Sequence, residues 1–339
     1  MIRGCSKIRA DLLRRMILDA GAYNCGFVPA AAVDAADTDL FMKWRDSGCH
    51  AGMGYLEQND AVRADPRLLL DGARTLIVCL FNYHIERHSQ GCFTDRESRL
   101  DTPEADSRQE TAVPDGRDRV PYIAEYARGR DYHLELRERL LPVSRFLTEQ
   151  YDGEARICID SAPLRERYWA VRAGLGFCGR NCQLIVPGAG SAFFIATVLW
   201  TGEVDEYSGP LEHPTCGTCR ACVDACPTGA LRGDGTLDAR RCLSYLTIES
   251  REPVPDDIPL AGNLYGCDAC RLACPHGRKA PATDIEAFRP RADICSMTTA
   301  DWCGIGTGAF RRLTAESAMT RARVGNLRAT ARRLLEGMQ

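Results

Sequence analysis

No stretch of this 339-residue chain is apolar for long enough to cross a bilayer. The longest apolar run, residues 191–200, reads as a buried strand. An export signal is missing too. Arg14 and Arg15 form a twin-arginine pair, but they fall inside a helical pattern at residues 6–21, with Ile8, Leu12, Leu13, Met16 and Ile17 on one side. Asp19 follows where an apolar core would be needed. A cytoplasmic protein is expected, in a compartment that keeps thiols reduced. Nor does one sign of charge dominate: the formal net charge is −3, although acidic residues dominate the middle of the chain and arginines crowd its end. Residues 86–118 carry almost no large apolar side chains and read as a flexible insertion or lid loop. The chain as a whole is 45% hydrophobic, enough for a substantial core spread over two or three domains.

Cysteine is abundant, with eighteen residues. Cys216, Cys219, Cys222 and Cys226, followed by Pro227, form C-x2-C-x2-C-x3-C-P, the spacing with which bacterial-type ferredoxins hold 4Fe-4S clusters. A second run supplies Cys267, Cys270 and Cys274, and Cys242 completes eight thiolates, enough for two clusters. In such proteins the fourth cysteine of a run ligates the other cluster. That rule assigns Cys216, Cys219, Cys222 and Cys274 to one cluster, and Cys226, Cys242, Cys267 and Cys270 to the other, with the cubes roughly 10–12 Å apart. Structural zinc and disulfides compete with this reading. Zinc sites favour paired C-x2-C units across a longer loop, and disulfides need an oxidising compartment. The remaining ten cysteines read mostly as small apolar side chains. Cys178 and Cys182 stand out because they flank a glycine-rich turn.

Ahead of the cysteines, strands are expected near residues 24–29, 73–83 and 156–160, and helices near 39–47 and 133–149. Ser161 to Pro163 opens a further helix that Gly174 ends, and residues 182–186 and 191–199 read as paired strands. This alternation describes an α/β or α+β leading domain. Asp160 stands at a strand end, where α/β sites collect, and serves either as an acid or as the cap of the following helix.

Asp160-Ser-Ala-Pro163, the turn around Asn181, Gly52-Met-Gly-Tyr55, Arg63-Ala-Asp-Pro66, the segment from Tyr126 to His133, and Ser244-Tyr-Leu-Thr-Ile-Glu249 between the cysteine runs together resemble the epoxyqueuosine reductase family. These are cobalamin-dependent iron-sulfur enzymes that complete queuosine in tRNA. The chain departs from the family in Phe177 and Arg180, where Trp and Lys are common, and in His276-Gly277 after Cys274-Pro275. Only 54 residues follow the expected cluster domain, which ends at 285, so a helical-repeat region like that of many members is expected to be short.

The resemblance implies an α+β protein. Residues 1–205 form an α/β cobalamin-binding catalytic domain that includes 86–118, residues 206–285 a ferredoxin-like two-cluster domain, and residues 286–339 a short helical, Arg-rich segment. It implies Asp160 as proton donor, Arg63, Asn181, Ser244 and Asp268 (with Asp160) as cobalamin contacts, and Tyr126, Tyr132 and His133 near the substrate. No Asp-x-His-x-x-Gly segment is present, so base-off cobalamin without a histidine ligand is expected. Arg321, Arg323 and Arg328 in the tail are expected to meet the phosphates of a tRNA anticodon stem-loop. A low-potential donor such as flavodoxin or ferredoxin would supply electrons to a monomer. A reductive dehalogenase-like corrinoid enzyme and a plain iron-sulfur carrier are the alternatives.

Overall fold

The protein is described from a computed structural model that covers residues 7–85, 119–151 and 153–337; the expected insertion at 86–118 lies outside the described residues. Helix α1 (Ala10–Asp19) buries Leu13 and Ile17, a 3.6-residue stripe. Strand β1 (Asn24–Pro29), helix α2 (Ala35–Asp46) and the short helix α3 (Asp60–Ala64) follow. Every residue of strand β2 (Thr75–Asn82) is buried, which explains its unbroken apolar run: both of its faces are covered.

After the short β3 (Tyr122–Ile123) come the long helix α4 (Tyr132–Gln150), strand β4 (Ala155–Ile159) and helix α5 (Glu166–Arg172). A small hairpin of β5 (Phe177–Cys178) and β6 (Leu184–Ile185) precedes strand β7 (Phe193–Trp200). The main sheet has the order β1-β2-β7-β4 and is antiparallel throughout. On one face Phe27, Ile77, Phe81, Val198 and Trp200 pack with α1 and α4. On the other, Val28, Leu76, Val78, Leu80 and Leu199 pack with α5 through Trp169 and Ala170. The result is three layers, helix on sheet on helix.

Two expectations change here. Strands β6 and β7 are not paired: β6 pairs with β5, and only an isolated Val186–Gly190 bridge lies between. Gly188 and Gly190, both at positive φ, turn the chain away. Gly190 also packs so closely on Gly277 that a Cβ would lie 2.7 Å from its Cα. The helix after Asp160 starts at Glu166 rather than at Ser161, which leaves an irregular stretch between strand and helix.

The cysteine-rich half contains helix α6 (Ala221–Asp224), strand β8 (Asn263–Tyr265) and helix α7 (Ala269–Leu272), with a single π-helical turn at Tyr245–Glu249. Its core is completed by the tail helices α8 (Ala292–Cys295), α9 (Thr299–Gly304), α10 (Thr307–Leu313) and α11 (Val324–Glu336). Leu246 and Tyr265 there meet Trp302, Phe310, Met319, Leu327 and Leu334. The tail is therefore part of a core, not an appended arm. Tyr126 and Tyr132 pack against both cores.

A buried charge cluster joins the halves. Arg271 pairs with Glu125 and, at 3.3 Å, with Asp268, and all three are at least nine-tenths buried. Tyr122 Oη and the Glu125 amide donate to Asp268 Oδ2 at 2.9 and 2.8 Å. Burial works to raise the Glu125 carboxyl, but Arg271 and His84 hold it down at about 2. Glu125→Ala would strand a buried cation and is expected to destabilise the protein by about 3–5 kcal/mol in urea unfolding; a loss under about 1 kcal/mol would contradict a dry pair. The wild-type contribution, from a carboxyl depressed below 4.5, should be complete above that pH and decline as pH falls towards 2.

Candidate functional site

Cys216, Cys219, Cys222 and Cys274 line one cavity of ≈ 80 Å³, beside Arg180, Asn181 and Ile185. Thus Cys274, from the second run, joins the first three cysteines of the first run. Cys226, Cys242, Cys267 and Cys270 make a second group: burial pushes the Cys270 thiol well up, and charge on Cys267, Cys242 and Cys226 adds to it. Neighbouring buried thiols resist ionising together unless a cation sits among them, and iron supplies that charge. Cys226 is held low despite burial by the amides of Leu231, Thr228 and Ala230.

No group of three His, Cys, Asp or Glu side chains among the described residues is close enough to hold a single metal ion. A zinc site needs thiolates about 2.3 Å from one point; thiols spread around a cavity suit a multi-atom cluster. Among the described residues no cysteine is in a disulfide. Arg180 fastens the first motif by donating to the carbonyls of Gly217 and Cys219 at 2.7 and 2.8 Å.

A second site forms where β4 ends. Asp160 takes a left-handed backbone conformation, φ 52°, which an L residue adopts at some cost and which Asp tolerates better than most. Its Oδ2 accepts from Tyr132 Oη at 2.9 Å and faces His133 Nε2 at 3.4 Å. Asp131, the N-cap of α4, holds His133 Nδ1 at 2.7 Å. Tyr132 is stacked between His133 and Phe194, with ring centroids 4.1 and 4.2 Å away. The side chain of Asp160 remains 63% exposed, so the site opens to solvent.

The charges around Asp160 are unequal. The hydrogen bond with His133 lowers its carboxyl, with Tyr132 and Arg321 helping. Burial lowers His133, yet the bonds to Asp131 and Asp160 outweigh it and raise the imidazole to about 9. Glu166 accepts the Asp160 amide at 2.7 Å; burial and then the charge of Asp160 raise its carboxyl to about 8. At neutral pH, protons therefore reside on His133 and Glu166, while Asp160 is ionised. Asp160 is thus flanked by two groups that carry protons at neutral pH.

The expected cobalamin contacts separate. Arg63 lines a cavity of ≈ 240 Å³ with Phe41, Met42 and Arg165, and burial lowers both guanidinium pKa values. Asn181 lines the first thiol cavity instead. The Ser244 hydroxyl donates to the Cys267 carbonyl at 3.4 Å and supports the second motif. Asp268 is engaged in the buried charge cluster.

In the tail, Arg321 makes a two-bond pair with Glu249, both at 2.7 Å, and lies over the Tyr55 ring. Arg328 donates to the Ile305 carbonyl at 2.6 Å. Internal partners thus engage both, although Arg321 remains exposed like Arg311, Arg312 and Arg323. Glu166, Glu249 and Arg165 were missed by sequence reasoning. Glu166 stands only six residues from Asp160, but its proton-holding character comes from burial, which spacing does not reveal.

Residues 63–161 match the family described as "Epoxyqueuosine reductase QueG, DUF1730", and residues 215–277 match the "4Fe-4S double cluster binding domain". An epoxyqueuosine reductase of Cyclobacterium marinum is 33% identical over 287 residues, 84% of each chain. Among solved structures, an epoxyqueuosine reductase with an epoxyqueuosine-modified tRNA-Tyr stem loop is 25% identical, with a TM-score of 0.81 over 97% of this chain and 81% of that one. The Bacillus subtilis enzyme, solved with its catalytic aspartate loop swung out of the active site, is 26% identical, with a TM-score of 0.80 over the same shares.

The His133 ring should titrate near 9 by NMR, and Asp160→Asn, which removes one of its two carboxylate partners, should lower that midpoint. An unchanged midpoint would show that Asp160 does not share the imidazole's charge.

Proposed function

The chain belongs to the epoxyqueuosine reductase family, and from that premise we propose that it reduces epoxyqueuosine to queuosine in the anticodon loop of tRNA. The reaction removes the epoxide oxygen: two C–O bonds break, a C=C bond forms, and two electrons with two protons release the oxygen as water. Its 4Fe-4S double-cluster domain delivers electrons singly. In this reading Cys216, Cys219, Cys222 and Cys274 hold the outer cluster, in a motif whose Gly217 and Thr218 are exposed. Cys226, Cys242, Cys267 and Cys270 hold the inner one. A low-potential carrier such as flavodoxin or ferredoxin would load the outer cluster.

The observation that carries the reading is the meeting of distant segments on one open face. Asp160 and His133 from the sheet half lie within electrostatic reach of Arg321 from the tail, and Arg321 is paired with Glu249 at the end of the π-helical turn that follows Cys242. This sets proton donors beside the reducing half.

Cobalamin fits the residues present. The cavity of Arg63 and Arg165 combines guanidinium groups and the Asp60 carboxylate with the apolar Phe41 and Met42, chemistry suited to the side-chain amides and methyl groups of part of a corrinoid. When bound, the corrinoid supplies a low-potential reductant at carbon. The chain's own residues do the rest. His133 Nε2 holds a proton against Asp160 Oδ2, and Glu166 holds a second. A bound nucleoside that excludes water raises the Asp160 pKa, so the His133 proton passes through Asp160 Oδ2 to the leaving oxygen. Tyr132, fixed by its stacking, keeps the Asp160 carboxylate aimed. Arg311, Arg312 and Arg323 then meet RNA phosphates. We read the protein as a cytoplasmic monomer of three units, 1–205, 206–285 and 286–339.

Anaerobically reconstituted protein with cobalamin and a strong reductant should remove one oxygen mass from epoxyqueuosine in tRNA. Asp160→Asn should lower kcat by about 10²–10⁴-fold with KM little changed. An unchanged nucleoside, with both clusters and corrinoid bound, would overturn the reading. Reversing the charge of Arg323 should weaken stem-loop binding and reduce the log–log salt slope by about 1, whereas Arg328→Ala should act on stability; equal loss of affinity from both would contradict this division.

A further inference from the structure

Asn181 stands in the turn between β5 and β6 and is only 2% exposed. Its Oδ1 accepts the Gln183 amide at 3.2 Å. Its Nδ2 is buried without any hydrogen-bond partner, an uncommon state for an amide donor that has good reason to be satisfied. The residue lines the cavity ringed by Cys216, Cys219, Cys222 and Cys274. Turning the amide over would break the bond from Gln183 and leave a carbonyl oxygen facing electron-rich sulfur.

The backbone N–H groups of His276 and Gly277 already serve the Cys274 sulfur, and among the described residues lining the cavity the Asn181 amide is the buried donor left without a partner. Ile185 is apolar and Pro275 has no N–H. The Arg180 guanidinium is committed to the carbonyls of Gly217, Cys219 and Gly233, and its backbone N–H approaches Cys216 Sγ at 3.5 Å. The His276 ring stands edge to face against Phe177. Gly179 leaves room for the arrangement, since a Cβ there would lie 2.8 Å from Asn181 Oδ1 and collide with Ile185.

We propose that Asn181 Nδ2–H donates a hydrogen bond to a sulfur of the 4Fe-4S cluster held by Cys216, Cys219, Cys222 and Cys274. The inference rests on the cluster assignment above. Reduction adds negative charge to the cluster, and an N–H donor to sulfur stabilises that charge, so Asn181 raises the reduction potential of this cluster alone. The turn that carries Asn181 thereby sets how readily the outer cluster takes an electron from the donor.

Asn181→Leu, similar in shape but without a donor, tests this in an EPR-monitored redox titration. One cluster should become roughly tenfold harder to reduce at a fixed potential, about 59 mV for one electron, while the other keeps its midpoint. Two unchanged midpoints with full iron content would overturn the proposal. Should Asn181→Leu lose a cluster, the wild-type protein decides. Labelled with ¹⁵N-asparagine and reduced, it should show electron–nuclear coupling between one cluster and an asparagine side-chain nitrogen and its exchangeable protons; absence of that coupling overturns the proposal. Wild-type protein that binds fewer than about eight irons per chain would instead defeat the two-cluster reading.

Discussion

The joint between the two halves depends on a buried cation. Arg271 follows Cys270 directly, yet it is bonded to Glu125 of the other half and to Asp268 of its own. A charge this deep is tolerated only with its partners in place. The relative position of the cysteine motif and the sheet is therefore not free to drift: separating the halves leaves Arg271 with Asp268 alone and strips the buried Glu125 of its cation. Tyr126 and Tyr132 reinforce the seam by packing on both cores. For electron transfer followed by proton transfer, such a joint matters: the thiolates lie in one half and the acid–base residues in the other.

The site at Asp160 shows how one carboxylate acquires a task through its neighbours. His133 is fixed from behind by Asp131, and its charge holds Asp160 ionised; burial, and then the ionised Asp160, keep Glu166 protonated. Two protons are thus stored on either side of a single acceptor, the number that the reduction of an epoxide to an alkene and water consumes. The left-handed conformation of Asp160, together with the delayed start of α5, supplies the irregular backbone on which this arrangement is hung.

Features governed by local spacing were legible in the sequence. The close cysteine run, the buried strand at 75–82 and helix α4 follow from periodicity and motif alone. The exchange of Cys274 into the first cysteine group was also anticipated, because the ferredoxin rule encodes it. Long-range partners were not legible. Asp268 looks like any polar residue beside a motif until Arg271, Tyr122 and Glu125 are seen to surround it. The tail arginines read as one basic face, yet Glu249 and the Ile305 carbonyl, distant in sequence, engage two of them. The pairing of β6 with β5 was hidden for a similar reason: two short apolar segments carry no register, and the glycines at 188 and 190 decide the direction of the chain.

The central claim is that the eight thiolates divide across the two motifs into two sets of four, each holding one iron-sulfur cluster. Iron anomalous scattering from crystals of anaerobically reconstituted protein tests it most directly. The account predicts two four-iron peaks, one bonded by Cys216, Cys219, Cys222 and Cys274, the other by Cys226, Cys242, Cys267 and Cys270. A first cluster bonded by Cys226 in place of Cys274, or single metal ions at either position, would contradict it.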